Sequence, residues 1–174
     1  MIDAVVELLK LIIPAAAVLY AMYLVMQGFI NRDLNVRQLE IRGKSIETIL
    51  PIRLQAYERI CLLLERLSPQ NLLIRVGHGG LSSKDYQRVL LEEVRNEFNH
   101  NVSQQVYMSE AVWALVKNSR EDLVMLINES ATSLAEGATG LELAKRIIER
   151  SIEKNLDPIG HALSELKKEI QQVF

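Results

Sequence analysis

The sequence predicts an all-α protein in three parts: one N-terminal transmembrane helix, a helical stalk, and an irregular bundle of about five helices. Three observations predict it. Leu11 to Ile30 carries no charged residue, apolar residues thereafter recur at spacings of three and four, and no alternating apolar run is bounded by hairpin turns. The parts are read as residues 1–30, 31–50 and 51–174.

Composition narrows the function classes. Of 174 residues, 49% are hydrophobic and only 5% aromatic, which excludes a disordered chain and a large multidomain enzyme. A formal charge of −2 removes the electrostatic case for a general nucleic-acid binder. The single cysteine, Cys61, excludes an internal disulfide framework and any multi-cysteine zinc site.

A helix rises ~1.5 Å per residue, so about 20 apolar residues span the ~30 Å hydrocarbon core of a bilayer. Leu11, Ile12, Ile13, Val18, Leu19, Leu24, Val25, Phe29 and Ile30 form the expected anchor, with Tyr20, Tyr23 and Gln27 as its polar exceptions. Lys10 is placed to snorkel to the interface, and Pro14 in the first turns, where a proline costs little. Ala15, Ala16 and Ala17 invite a cleaved leader, but Asp3 and Glu7 replace the basic cluster such leaders carry. Arg32, Arg37, Arg42 and Lys44 follow the segment closely, which predicts the amino terminus outside and the remainder cytoplasmic at an inner membrane.

The stalk has a thin apolar row, Leu34, Ile41, Ile46 and Ile49, interrupted by Gly43 and too irregular for a coiled coil. Pro51 suits the first turn of a new helix, which would bury Leu54, Tyr57, Cys61 and Leu64, widened by Ile60, Leu63 and Leu67, until Ser68 and Pro69. Gln70 to Val76 is apolar and undecided, and Gly77-His78-Gly79-Gly80 is a loop.

Ser82 or Ser83 caps a helix whose apolar row Tyr86, Leu90, Val94, Phe98, Val102 and Val106 carries it to Tyr107, as one helix or two with a kink. Ser109 caps the next, with Val112, Val116, Leu123, Ile127 and Leu134 buried up to Gly137. Thr139 and Glu142 form a capping box for a helix burying Leu141, Ala144, Ile148 and Ile152 and ending at Asn155. Asp157 caps the last, with Pro158 at its first position and Ile159, Leu163, Leu166, Ile170 and Val173 on its apolar face.

Three strings, Leu50-Pro51-Ile52-Arg53-Leu54-Gln55-Ala56-Tyr57-Glu58-Arg59, Leu67-Ser68-Pro69-Gln70-Asn71-Leu72 and Glu97 to Tyr107 (EFNHNVSQQVY), carry a resemblance. With the single membrane helix, they resemble a family of uncharacterised membrane-anchored helical proteins of Bacteroidota. The resemblance spans most of the chain and implies architecture but no activity.

Glu97 and His100, three apart on one helix, are the spacing from which helical bundles build carboxylate-bridged metal sites. A di-iron site needs a second Glu-x-x-His, and none is present: His78 follows Arg75 and His161 follows Pro158 by three. Glu93, one turn earlier, and His161 on the last helix could complete another metal site, but nothing in the spacing requires it, so no metal or cofactor is expected and Glu93, Glu97 and His100 stand as weak metal candidates. Asn99, His100, Asn101, Gln104, Gln105 and Tyr107 are expected to form a buried polar network at a helix bend or, if exposed, a docking surface for a partner.

Gly77 to Lys84 lacks the Gly-Lys-Ser/Thr ending of a phosphate loop and is expected to be a flexible connector. Cys61 is expected to be an inert core thiol, and Trp113 to pack in or beside the core. Arg59, Arg66, Arg146, Arg150, Lys154, Lys167 and Lys168 alternate with glutamates as a solvated surface does.

The expected function is therefore a non-enzymatic, membrane-anchored interaction or scaffold protein. Its expected partners are membrane lipid, another protein and a second copy of the chain, not nucleic acid. The competing expectations are a metal-dependent enzyme using Glu97 and His100, and an accessory subunit of a larger inner-membrane complex.

Overall fold

A computed structural model describes the backbone of residues 2–153 and 157–172, and side chains from Ile12 onward except at residues 15, 31, 35, 39, 41, 42 and 45. The roles given above to the side chains of Lys10, Leu11, Ile41 and Arg42, and to Lys154, Asn155 and Val173, fall outside the described residues. The regular elements among the described residues are all helical. They are α1 (Ile2–Leu67), α2 (Pro69–Val76), α3 (Ser83–Asn101), a 3-10 turn (Val102–Tyr107), α4 (Glu110–Thr132), α5 (Gly140–Glu153) and α6 (Pro158–Gln171). The all-α expectation holds, and the undecided stretch before the glycine loop is the short helix α2.

The chain divides into two units, Met1–Leu50 and Pro51–Phe174. In the first, the segment Ile12–Gln38 of α1 is long and apolar enough to cross a membrane, with none of its most apolar window buried in the fold. Ile13, Val18, Leu19, Leu24, Val25 and Phe29 are all exposed. The helix begins earlier than expected, so Pro14 lies in its interior.

Residues 31–50 are helical as well, with Leu34, Ile46 and Ile49 exposed. The expected new start at Pro51 is overturned: α1 runs through the proline to Leu67. A proline inside a helix deprives the carbonyl four residues back of its donor. Here that carbonyl belongs to Glu47, an exposed residue, so it is open to solvent.

The second unit is built on the buried side chains Tyr57, Ile60, Leu63, Leu64 and Leu67 from the end of α1, joined by the inner faces of the other helices. Each large apolar group so removed from water contributes ~1.5–3 kcal/mol. α4 is central, packed against α3, α5 and α6, while α2 packs on α3 and α5. Phe98 lies between the Trp113 ring, stacked at 5.5 Å, and the Arg120 guanidinium, 4.5 Å from its centroid. Buried Ser119 ties α4 to the start of α6: its hydroxyl lies 2.9 Å from the carbonyls of both Leu115 and Pro158.

The helix starts follow local chemistry. The Ser82 and Ser109 hydroxyls accept the amides of Asp85 and Val112. Thr139 and Glu142 bond reciprocally as a capping box, and the Thr139 amide and hydroxyl hold the Glu142 carboxyl below the usual carboxylate range. Asp157 accepts the Gly160 amide at 2.8 Å.

Three further expectations are corrected. Of the two expectations for the stretch to Tyr107, the break holds and the single helix does not: α3 stops at Asn101, the 3-10 turn continues to Tyr107, and Val102 and Val106 are 38% and 74% exposed. The Asn101 amide donates to the Glu97 carbonyl at 2.9 Å, a side-chain bond to the preceding turn that bends the chain out of the α-helix. α4 ends at Thr132, before Gly137, whose φ of +88° suits the glycine there.

The third correction concerns α5, which buries Gly140, Leu143 and Ile147, whereas Leu141 and Ile152, expected inside, are exposed. A Cβ at position 140 would meet the Leu81 carbonyl and the Tyr86 Cβ at 3.2 Å. That close approach seats the first turn of α5 and sends the side chains three and seven residues later inward.

The glycine loop is more than a flexible connector. Ser82 and Thr139 pair in an isolated antiparallel bridge, with the Gly140 amide donating to the Leu81 carbonyl at 2.8 Å and the Ser83 amide to the Ala138 carbonyl at 2.9 Å. The loops α2–α3 and α4–α5 are thus joined.

Candidate interaction surface

The polar segment 99–107 is mostly solvent-facing. Asn99, His100, Ser103 and Gln105 are exposed, Gln104 and Tyr107 half-buried, and of the amides only Asn101 is buried. The expected buried network is therefore reduced to one residue, and the amide-rich surface is the arrangement the fold presents. Phe98, just before that surface in the chain, belongs to the core. Val106 projects from the 3-10 turn among these amides, which gives the surface an apolar tip with hydrogen-bonding groups around it.

The turn is held from beneath by residues far apart in sequence. Arg53 Nε donates to the Tyr107 carbonyl at 3.2 Å, and Arg53 Nη2 to the Tyr57 hydroxyl at 2.9 Å. Tyr57 donates to Glu169 Oε1 at 2.7 Å. The Ser109 amide donates to the same oxygen at 2.9 Å, and its hydroxyl to the other carboxylate oxygen. Glu169 thereby joins α6 to α1 and to the cap of α4.

Burial opposes the charge on Glu169, but the Ser109 and Tyr57 hydrogen bonds and the Arg53 charge outweigh it and hold the carboxyl below the usual range. Burial, with the bond to Glu169, pushes the Tyr57 hydroxyl up against the opposing pull of Arg53. Neither Arg53 nor Glu169 was singled out from sequence; the partners lie 54 and 112 residues away, and no local pattern marks them.

Glu93 and Glu97 do come together on α3, but with cations. Arg75 pairs with Glu93 and lies 3.4 Å from Glu97, and Arg66 pairs with Glu97. These guanidiniums tie α1 and α2 to α3, and a metal ion would have to displace them. His100 is exposed, and among the described residues no three His, Cys, Asp or Glu side chains gather as a metal set. Cys61 is half-buried, and burial pushes its thiol up despite the nearby Lys167, which disfavours the nucleophilic thiolate.

No curated protein and no solved structure matches the chain. A family match covers residues 3–173, nearly the whole sequence and both units. The chain belongs to the family of unknown function DUF7935.

Proposed function

We propose that this protein is a single-pass membrane protein whose helical bundle, on the cytoplasmic side, serves as a docking module for another protein. One observation carries the reading. The apolar stretch Ile12–Gln38 finds no cover within its own fold, and a helix of that length and composition is stable where lipid provides the cover. The basic residues at 32, 37, 42 and 44 support retention of the following chain in the cytoplasm, at the inner membrane of a bacterium such as the Bacteroidota.

The docking role rests on the amide-rich surface 99–107, held in shape by Arg53 and Glu169, and on carboxylates that are spent on arginines instead of gathered for chemistry. Alkaline carbonate extraction of native membranes tests the anchor, and protease digestion of intact spheroplasts tests the side. The chain is expected in the pellet, with the bundle protected until the membrane is opened. Release into the supernatant refutes the anchor, and digestion in intact spheroplasts refutes the orientation. Photocrosslinking from position 105 is expected to trap a partner that Val106→Asp loses.

A further inference from the structure

Helix α5 carries one broad apolar face, and the fold covers only part of it. Leu143 and Ile147 are fully buried. Ala144 and Ile148 are half-buried, Ala144 packing on the core, and Leu141 and Ile152 carry the face outward, 44% and 72% exposed. The neighbouring α2 adds Ile74, 82% exposed, and a groove of about 810 Å³ between the two helices is lined by Leu73, Ile74, Ala144 and Ile148. A bundle helix needs no more apolar surface than its neighbours cover, so an uncovered edge clustered with an isoleucine of the adjacent helix marks a contact surface.

The charges along this edge favour one occupant. α5 carries Glu142, Glu149 and Glu153 against Lys145, Arg146 and Arg150, three of each sign. Such a balanced helix has little attraction for an anionic lipid surface. It is instead complementary to itself run antiparallel. About a two-fold axis crossing α5 near Ile147, Leu141 faces the second copy's Ile152, Ile148 faces its Ala144, and Lys145 faces its Glu149. One register satisfies both the apolar edge and the charges.

We propose that the outer face of α5, with Ile74 of α2, binds a second copy of this chain in an antiparallel two-fold contact. The contact does not require that α1 enter a bilayer.

The test is the mass of the full chain in mild detergent across a concentration series. A dimer is expected, weakened about tenfold or more by Ile152→Asp or Ile74→Asp, since truncating or charging a central contact costs that much. Both positions are exposed, so thermal melting by circular dichroism should stay unchanged. Lys145→Glu is expected to weaken the dimer, and adding Glu149→Lys to restore it. With Cys61→Ser, chains carrying Leu141→Cys should crosslink to chains carrying Ile152→Cys in preference to their own kind. A monomer at every concentration, a dimer indifferent to Ile152→Asp, or preferential 141-to-141 crosslinks would overturn the proposal.

Discussion

Leu24 and Leu90 are the same residue in two different solvents. Leu24 lies in the stretch of α1 from Ile12 to Ile49, whose described apolar side chains are all exposed, whereas Leu90 is wholly enclosed by neighbouring helices. The difference teaches that apolar content does not by itself make a core. Most apolar groups of the second unit lie on faces that other helices cover, while none of the most apolar window of Ile12–Gln38 is buried among the described residues.

Truncation should break that symmetry most strongly. Leu90→Ala leaves a cavity in a packed interior and is expected to cost ~2–5 kcal/mol of bundle stability by chemical denaturation in detergent. Leu24→Ala should leave the same transition unmoved. An equal loss from both would show that the first unit takes part in the bundle's cooperative unfolding.

Next in size is Glu169→Gln, which weakens bonds to Ser109 and Tyr57 and removes the charge facing Arg53, for an expected ~1–3 kcal/mol. The pH dependence follows from the same group. Because the folded-state pKa of Glu169 is depressed, its contribution is complete above the ordinary glutamate value of about 4.3 and is lost as pH falls through the lower folded value. Tyr57 acts at the other end. Its raised pKa contributes stability that is complete below about 10 and is lost as pH rises toward the folded value. Stability curves of wild type and Glu169→Gln should converge in acid; parallel curves would remove Glu169 from the account.

Smaller still are two glycine replacements with opposite signs. At Gly160 a Cβ would overlap the Asp157 carboxylate that caps α6, so Gly160→Ala is expected to cost ~1 kcal/mol. At Gly43 nothing lies within 4 Å, and Gly43→Ala should stabilise the helix locally by ~0.5–1 kcal/mol, read as raised helicity. Ser130 has a fully buried hydroxyl with no hydrogen-bond partner among the described residues, so Ser130→Ala is expected to raise the bundle's melting point, by ~1 kcal/mol in stability.

Local chemistry was legible and distant pairing was not. The caps at Ser82, Ser109, Thr139 and Asp157 were readable because donor and acceptor lie within one turn of each other. The end of α3 was hidden because Val102 and Val106 continue an apolar period that one amide bond from Asn101 interrupts. Which part of the α5 face is covered was not legible because its apolar arc is wide and periodicity does not choose within it; Gly140 chose through its fit against Tyr86. The support beneath the 99–107 surface was invisible because Arg53 and Glu169 look like any solvated charges until α1 and α6 meet.

The bridge between Ser82 and Thr139 makes two connecting loops behave unlike loops. The amides of Ser83 and Gly140 are each held by a carbonyl of the other segment, so neither can open alone. In hydrogen–deuterium exchange these two positions should be as slow as helical amides, while Gly79 and Gly80 close by exchange at once. A protease seeking the connector between α2 and α3 would find its accessible bonds around His78, Gly79 and Gly80, and the severed ends would stay clasped.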